Sequence, residues 1–219
     1  MASRRAILLV ASLLILVMAV FALRPEFDLD VARLFHVENG FVGQSASARP
    51  IRDFFNLTPF AVLFVLAALY GLRLGGFRAP GAPSGRALFF LLATMAIGPG
   101  LIVNLGLKDH AHRPRPSQTQ EFGGPWEFRP WWRFDGACPK NCSFVSGEAS
   151  EAFWMVAPAS LAPPPLRPLA IGAALVFGAG AGLMRMGAGG HFLSDVLISA
   201  LLTILVVQIA RRLILGAGS

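Results

Sequence analysis

Six apolar blocks constrain this 219-residue chain more than any other feature: Ala6 to Leu23, Phe54 to Leu74, Ala87 to Leu107, Ser146 to Leu161, Leu169 to Met184 and Phe192 to Ala210. Each is near the roughly 17–25 residues a helix needs to cross a hydrocarbon core. They lack the polar stripes at helical spacing that a soluble bundle would carry. With 55% hydrophobic and only 14% charged residues, the chain takes a bilayer as its solvent. The expectation is one all-α domain over residues 1–219, a polytopic membrane protein built as a six-transmembrane-helix bundle. The fourth and fifth blocks are short and contain Pro or Gly, so they fit equally well among other helices, where irregular backbone is tolerated.

A net charge of +7 raises nucleic acid as a partner, but the placement of the cations excludes it. Arg4 and Arg5 precede block 1; Arg73, Arg78 and Arg86 lie between blocks 2 and 3; Arg167 lies between 4 and 5; Arg211 and Arg212 close block 6. With six crossings all of them fall on one side, which the positive-inside rule makes the cytoplasm. Both termini are then cytoplasmic. The first block resembles a signal peptide, but Phe21, Ala22, Leu23 and Arg24 make a poor small-residue cleavage site, so the block is expected to be retained.

The opposite side carries two polar segments. Residues 24–53 mix acids, bases and apolar residues such as Phe27, Leu34 and Phe35, which suits a short amphipathic helix at the interface. The segment from Lys108 to Ser146 holds Trp126, Trp131 and Trp132, read as headgroup-depth anchors or as the lining of a lipid-entry groove. It also holds Cys138 and Cys142, on the side where oxidation is permitted; they are a disulfide candidate, two thiols being too few for a metal site.

Three clusters carry chemistry, all at the outer ends of predicted helices. In the first, Lys108 to Pro116, three fixed cations (Lys108, Arg113, Arg115) and two histidines (His110, His112) stand where positive charge is disfavoured, so they need a ligand as their reason. Guanidinium grips phosphate oxygens in pairs and ammonium adds a compact charge. In the second, Ser146 and Gly147 open a helix and offer a hydroxyl and free backbone N–H groups to an anion. In the third, Arg185 precedes Gly189, Gly190, His191 and Asp195. On a helix His191 and Asp195 share a face at i and i+4, so the carboxylate would orient the imidazole.

Lys108 with six residues before Arg115-Pro116, then Ser146-Gly147, then Arg185 with five residues before His191 and three more before Asp195, resembles the three-part signature of the type 2 phosphatidic acid phosphatase family. These core motifs cover residues 108–195. The resemblance implies a bacterial inner-membrane phosphatase with its site on the periplasmic face, working without cofactor or metal on a lipid phosphate. Lys108, Arg115, Arg185, Ser146 and Gly147 would bind the phosphate, His191 would form a phosphohistidine and Asp195 would orient it. The family has Pro-Ser-Gly-His where this chain has Val145-Ser146-Gly147-Glu148, and Ser where it has Met184. The missing histidine is the family's general acid. Glu148 is expected in that role if protonated, with His110 or His112 as the auxiliary choice and Arg113 as a further cation.

The leading function is therefore hydrolysis of a lipid phosphomonoester or diphosphate, of the undecaprenyl diphosphate, lipid A or phosphatidylglycerol phosphate type. Two alternatives share the site: phosphotransfer from the same intermediate to another lipid, and lipid-phosphate binding without turnover.

Overall fold

The structure is a computed structural model that describes residues 4–38, 40–108 and 110–216. Asp109 of the first cluster and both chain ends of the predicted domain lie outside the described residues. Helix α1 (Arg4–Leu23) leads into the short α2 (Glu26–Arg33), as expected of an amphipathic segment at the interface. A hairpin of β1 (His36–Val37) and β2 (Gly40–Phe41), His36 opposite Phe41, is a small departure from the all-α expectation. Then come α3 (Ala48–Leu74) and α4 (Gly85–Met95), which continues as a π-helical stretch over Ala96–Lys108. After the outer loop stand α5 (Gly147–Phe153), α6 (Val156–Ala159), α7 (Arg167–Gly187) and α8 (Leu193–Ala210), extended by a π-helical turn Arg211–Leu215.

Among the described residues, five helices rather than six are long and apolar enough to cross a membrane: α1, α3, α4 with its extension, α7 and α8 with its extension. The fourth block is two short helices broken at Trp154 and Met155. Pro158 has no N–H to return to the carbonyl of Trp154, which instead accepts from Ala157 at 2.7 Å. The break survives because lipid never reaches it: Ala149, Ala152, Trp154 and Ala157 are fully buried against α4, α7 and α8.

Burial runs from the middle outward. α8 is half buried, while α1 and α3 turn Leu8, Leu9, Ile15, Phe54, Phe64 and Val65 outward as lipid-facing surface. Close approach is made possible by small residues on α7: a Cβ at Gly178 would lie 2.5 Å from the Phe153 ring, and one at Gly182 2.5 Å from Val196. Polar side chains in this interior pair across helices, Ser150 with Thr203 at 2.6 Å and the Trp154 indole N–H on Thr94 at 2.9 Å. Such pairs meet the backbone and side-chain demands that hydrocarbon cannot.

Candidate active site

Backbone hydrogen bonds join the three clusters before any side chain does. Ser117 N–H donates to Gly189 O at 3.0 Å, tying the first cluster to the third. Ser146 N–H donates to Asp195 O at 3.4 Å, tying the second to the third. Ser143 N–H donates to Arg113 O at 2.8 Å, so the segment before α5 is laced to the segment after α4. Gly189 turns the chain between α7 and α8 at φ +65°, and a Cβ there would sit 2.5 Å from the Phe41 ring; only glycine suits both demands.

His191 is buried, and its Nδ1 lies 2.7 Å from the carbonyl oxygen of Ser143. A carbonyl only accepts, so Nδ1 carries the proton and Nε2 keeps its lone pair. Burial, then the charges of Arg185, Arg115 and Lys108, holds the imidazole well below its usual range. The group is a neutral imidazole surrounded by cations, which is the state a nucleophile toward an anionic phosphate requires.

Asp195 does not touch His191 as expected. Its Oδ2 is 3.9 Å from Nδ1, beyond hydrogen-bond reach. The i, i+4 argument fails because the helix starts too late: Phe192 is extended and α8 begins at Leu193, so His191 stands before the helix. Asp195 instead caps α8 by accepting from Phe192 N–H at 2.8 Å and accepts from the Ser143 hydroxyl at 2.5 Å. Ser143 thus grips Asp195 with its hydroxyl and His191 with its carbonyl.

Arg113, an auxiliary candidate in the sequence, is fully buried and holds this arrangement from behind. Its Nη1 donates to Asp195 Oδ1 at 2.5 Å and to Ser194 at 2.9 Å, its Nη2 to Asp28 at 2.7 Å, and its Nε to Arg129 O at 2.8 Å. The guanidinium packs 4.5 Å over the Phe192 ring. Asp28, on α2, also accepts from Ser194 N–H at 2.8 Å and from its hydroxyl at 2.6 Å. Sequence reasoning missed Asp28, which looked like one acid among several on an interfacial helix.

The cradle gathers on the other side of His191. A Cβ on Gly147 would lie 3.4 Å from Lys108 Nζ, placing the ammonium beside the α5 N-terminus. The Ser146 hydroxyl caps that helix by accepting from Ala149 N–H at 3.3 Å. Arg115 is held through Asn141 O at 3.1 and 2.7 Å. Arg185 is buried, lies against Gly190, and its Nε makes no hydrogen bond. Its nearest carboxylate oxygen is Glu148 Oε1, at 3.5 Å.

Glu148 stands at this cradle, but as a carboxylate. Arg52 of α3 donates to it twice, at 3.0 and 2.6 Å, a fork that stabilises the ionised form. His110 and His112 bond through Nδ1 to Gly106 O and Cys138 O, both at 2.9 Å. A disulfide joins Cys138 to Cys142. Trp131 is tied into the protein, its indole N–H on Met18 O at 3.2 Å, so it anchors the outer loop to the end of α1.

A family described as the PAP2 superfamily matches residues 87–218. A lipid A 4'-phosphatase of Francisella tularensis subsp. novicida (strain U112) is 37% identical over 183 residues, 80% of this chain and 81% of that protein. One of Rhizobium leguminosarum is 34% identical over 208 residues, 86% of this chain and 88% of that protein. No solved structure matches. These likenesses span most of both chains and join a cation cradle around a buried imidazole: the chain belongs to the PAP2 superfamily and is a membrane-embedded lipid phosphatase.

Proposed function

We propose that the protein hydrolyses a phosphomonoester of a lipid A-type glycolipid, from the periplasmic face of a bacterial inner membrane and through a phosphohistidine at His191. The observation that carries the mechanism is the bond from His191 Nδ1 to Ser143 O, which leaves Nε2 free among Lys108, Arg115 and Arg185. The substrate class is supported by the relatives' activity. The orientation is supported by Arg4, Arg5, Arg73, Arg86, Arg167, Arg211 and Arg212, which lie at the far ends of the helices that converge on the site.

In the reaction, Lys108, Arg115 and Arg185 neutralise the phosphoryl oxygens while the Ser146 hydroxyl and Gly147 N–H complete the cradle. The lone pair of Nε2 forms a bond to phosphorus, the bond from phosphorus to the lipid oxygen breaks, and that oxygen takes a proton. Water then attacks phosphorus and gives a proton to the Glu148 carboxylate, the bond to Nε2 breaks, and inorganic phosphate leaves with His191 neutral again. Glu148 supplies the first proton once its pairing with Arg52 opens, because a carboxylate left beside a phosphate dianion binds a proton more tightly. Ser143 acts by holding the imidazole, and Asp195 by holding Ser143.

The test is phosphate release from a phosphorylated lipid A by detergent-purified protein, with acid-labile label trapped on the protein from a radiolabelled substrate. His191→Ala is expected to lose both label and turnover. Wild-type turnover in that variant would sink the mechanism.

A further inference from the structure

A cavity reaches from Arg115, Arg185 and Gly190, the residue before His191, to the start of α3. It measures about 350 Å³, within the roughly 300–1,000 Å³ of small-molecule pockets. One wall is Arg115, Arg185 and Gly190; the other is Arg49 and Arg52, on the first turns of α3. Among the described residues no carboxylate side chain lines it. Arg115 and Arg185 belong to the cradle and Arg52 forks Glu148, so Arg49 is surplus to the needs of one phosphate. Arg49 is exposed, and its guanidinium makes no hydrogen bond or ion pair to another described residue.

An apolar recess of about 580 Å³ adjoins this cavity and shares Gly43, Ala48 and Met184 with it. Ile51 and Phe55 of α3 and Leu183 of α7 line that recess. A lipid with its chains there brings its head group past the start of α3 before it reaches His191.

We propose that Arg49 and Arg52 form a second anion subsite, which binds a further phosphate of the same lipid and selects a doubly anionic head group over one bearing the scissile phosphate alone. The inference rests on the lipid phosphatase reading above. It also gives Arg52 two partners: bound to the second phosphate, it releases Glu148 to take up the proton that the leaving oxygen needs.

The experiment compares a diphosphorylated glycolipid with its monophosphorylated form carrying only the scissile phosphate. The full-length protein is assayed in neutral detergent, so that no other anionic lipid fills the subsite. Wild type is expected to favour the diphosphorylated form in kcat/KM by about tenfold, the value of roughly 1.4 kcal/mol of differential binding. Arg49→Ala should lose most of that preference, and Arg49→Lys should keep part of it, since ammonium retains the charge but not the fork. Equal wild-type kcat/KM on the two lipids, or an Arg49→Ala loss of equal size on both, overturns the subsite. No phosphate from either lipid overturns the phosphatase reading, and the subsite with it.

Discussion

Arg113 and Arg185 are both buried beside the same histidine, yet they are treated in opposite ways. Arg113 spends its fork on Asp28, Ser194, Asp195 and a carbonyl, and packs over an aromatic ring. Arg185 keeps Nε without a hydrogen bond, its nearest carboxylate oxygen 3.5 Å away. A buried guanidinium donor left without a hydrogen bond costs more than the ~1–3 kcal/mol of an uncharged one. The region behind His191 therefore avoids that cost, and the region in front accepts it. The back is a scaffold, complete in itself, whereas the front is complete only with an anion in it. His191 sits on the seam, its Nδ1 committed to the scaffold and its Nε2 to the cradle.

The sharpest way to break this contrast is Arg113→Leu. It would leave Asp28 and Asp195 as buried carboxylates without their shared counter-ion, a loss of about 3–5 kcal/mol. The expected result is a large fall in melting temperature in detergent, with activity lost as a consequence of unfolding. A variant that melts like wild type would show that Arg113, Asp28 and Asp195 are not a scaffold. Arg185→Gln makes the opposite prediction. It should cost about 10²–10³ in kcat, the usual effect of removing one transition-state donor, with the melting temperature unchanged or raised because a crowded cation has gone. Co-variation of activity and melting temperature in Arg185→Gln would erase the distinction between the two regions.

This division was only half legible in the sequence. The front was visible because its residues are unusual where they stand: Lys108, Arg115 and Arg185 are cations at the disfavoured end of predicted helices, and His191 follows two glycines. Asp195 and Arg113 of the back were visible as candidates, but their connections were not, for two reasons. Asp28 reaches Ser194 across 166 positions, and an acid on an interfacial helix carries no mark of its partner. The group that fixes His191 is a backbone carbonyl, which every residue has. Arg52 and Glu148, 96 positions apart, escaped for the first reason. The Asp195 contact was misplaced because helical spacing was carried back through His191, although Gly189 and Gly190 mark a turn before α8. The broken fourth block shows a related limit. Its apolar residues read as a crossing, whereas its short length and Pro158 fit burial among other helices equally well, and composition alone does not choose between them.

The smallest effect concerns the seam itself. In the folded protein His191 is held well below its ordinary range by burial and by Arg185, Arg115 and Lys108. In the unfolded chain it would take a proton near pH 6.5. Because the lowered value belongs to the folded state, the neutral imidazole contributes stability above about pH 6.5, and that contribution falls as pH drops below it, by about 1.4 kcal/mol per unit until the folded value is reached. Nitrogen NMR of side-chain-labelled protein checks this directly, since the chain has only four histidines to assign. His191 should remain neutral, with the proton on Nδ1, as the solution is taken below pH 6.5. Arg115→Gln should move its titration upward, because one cation no longer opposes the charge. A His191 that protonates at or above pH 6.5 in wild type would mean that the cradle does not press on the imidazole, and that scaffold and cradle are not joined through this ring.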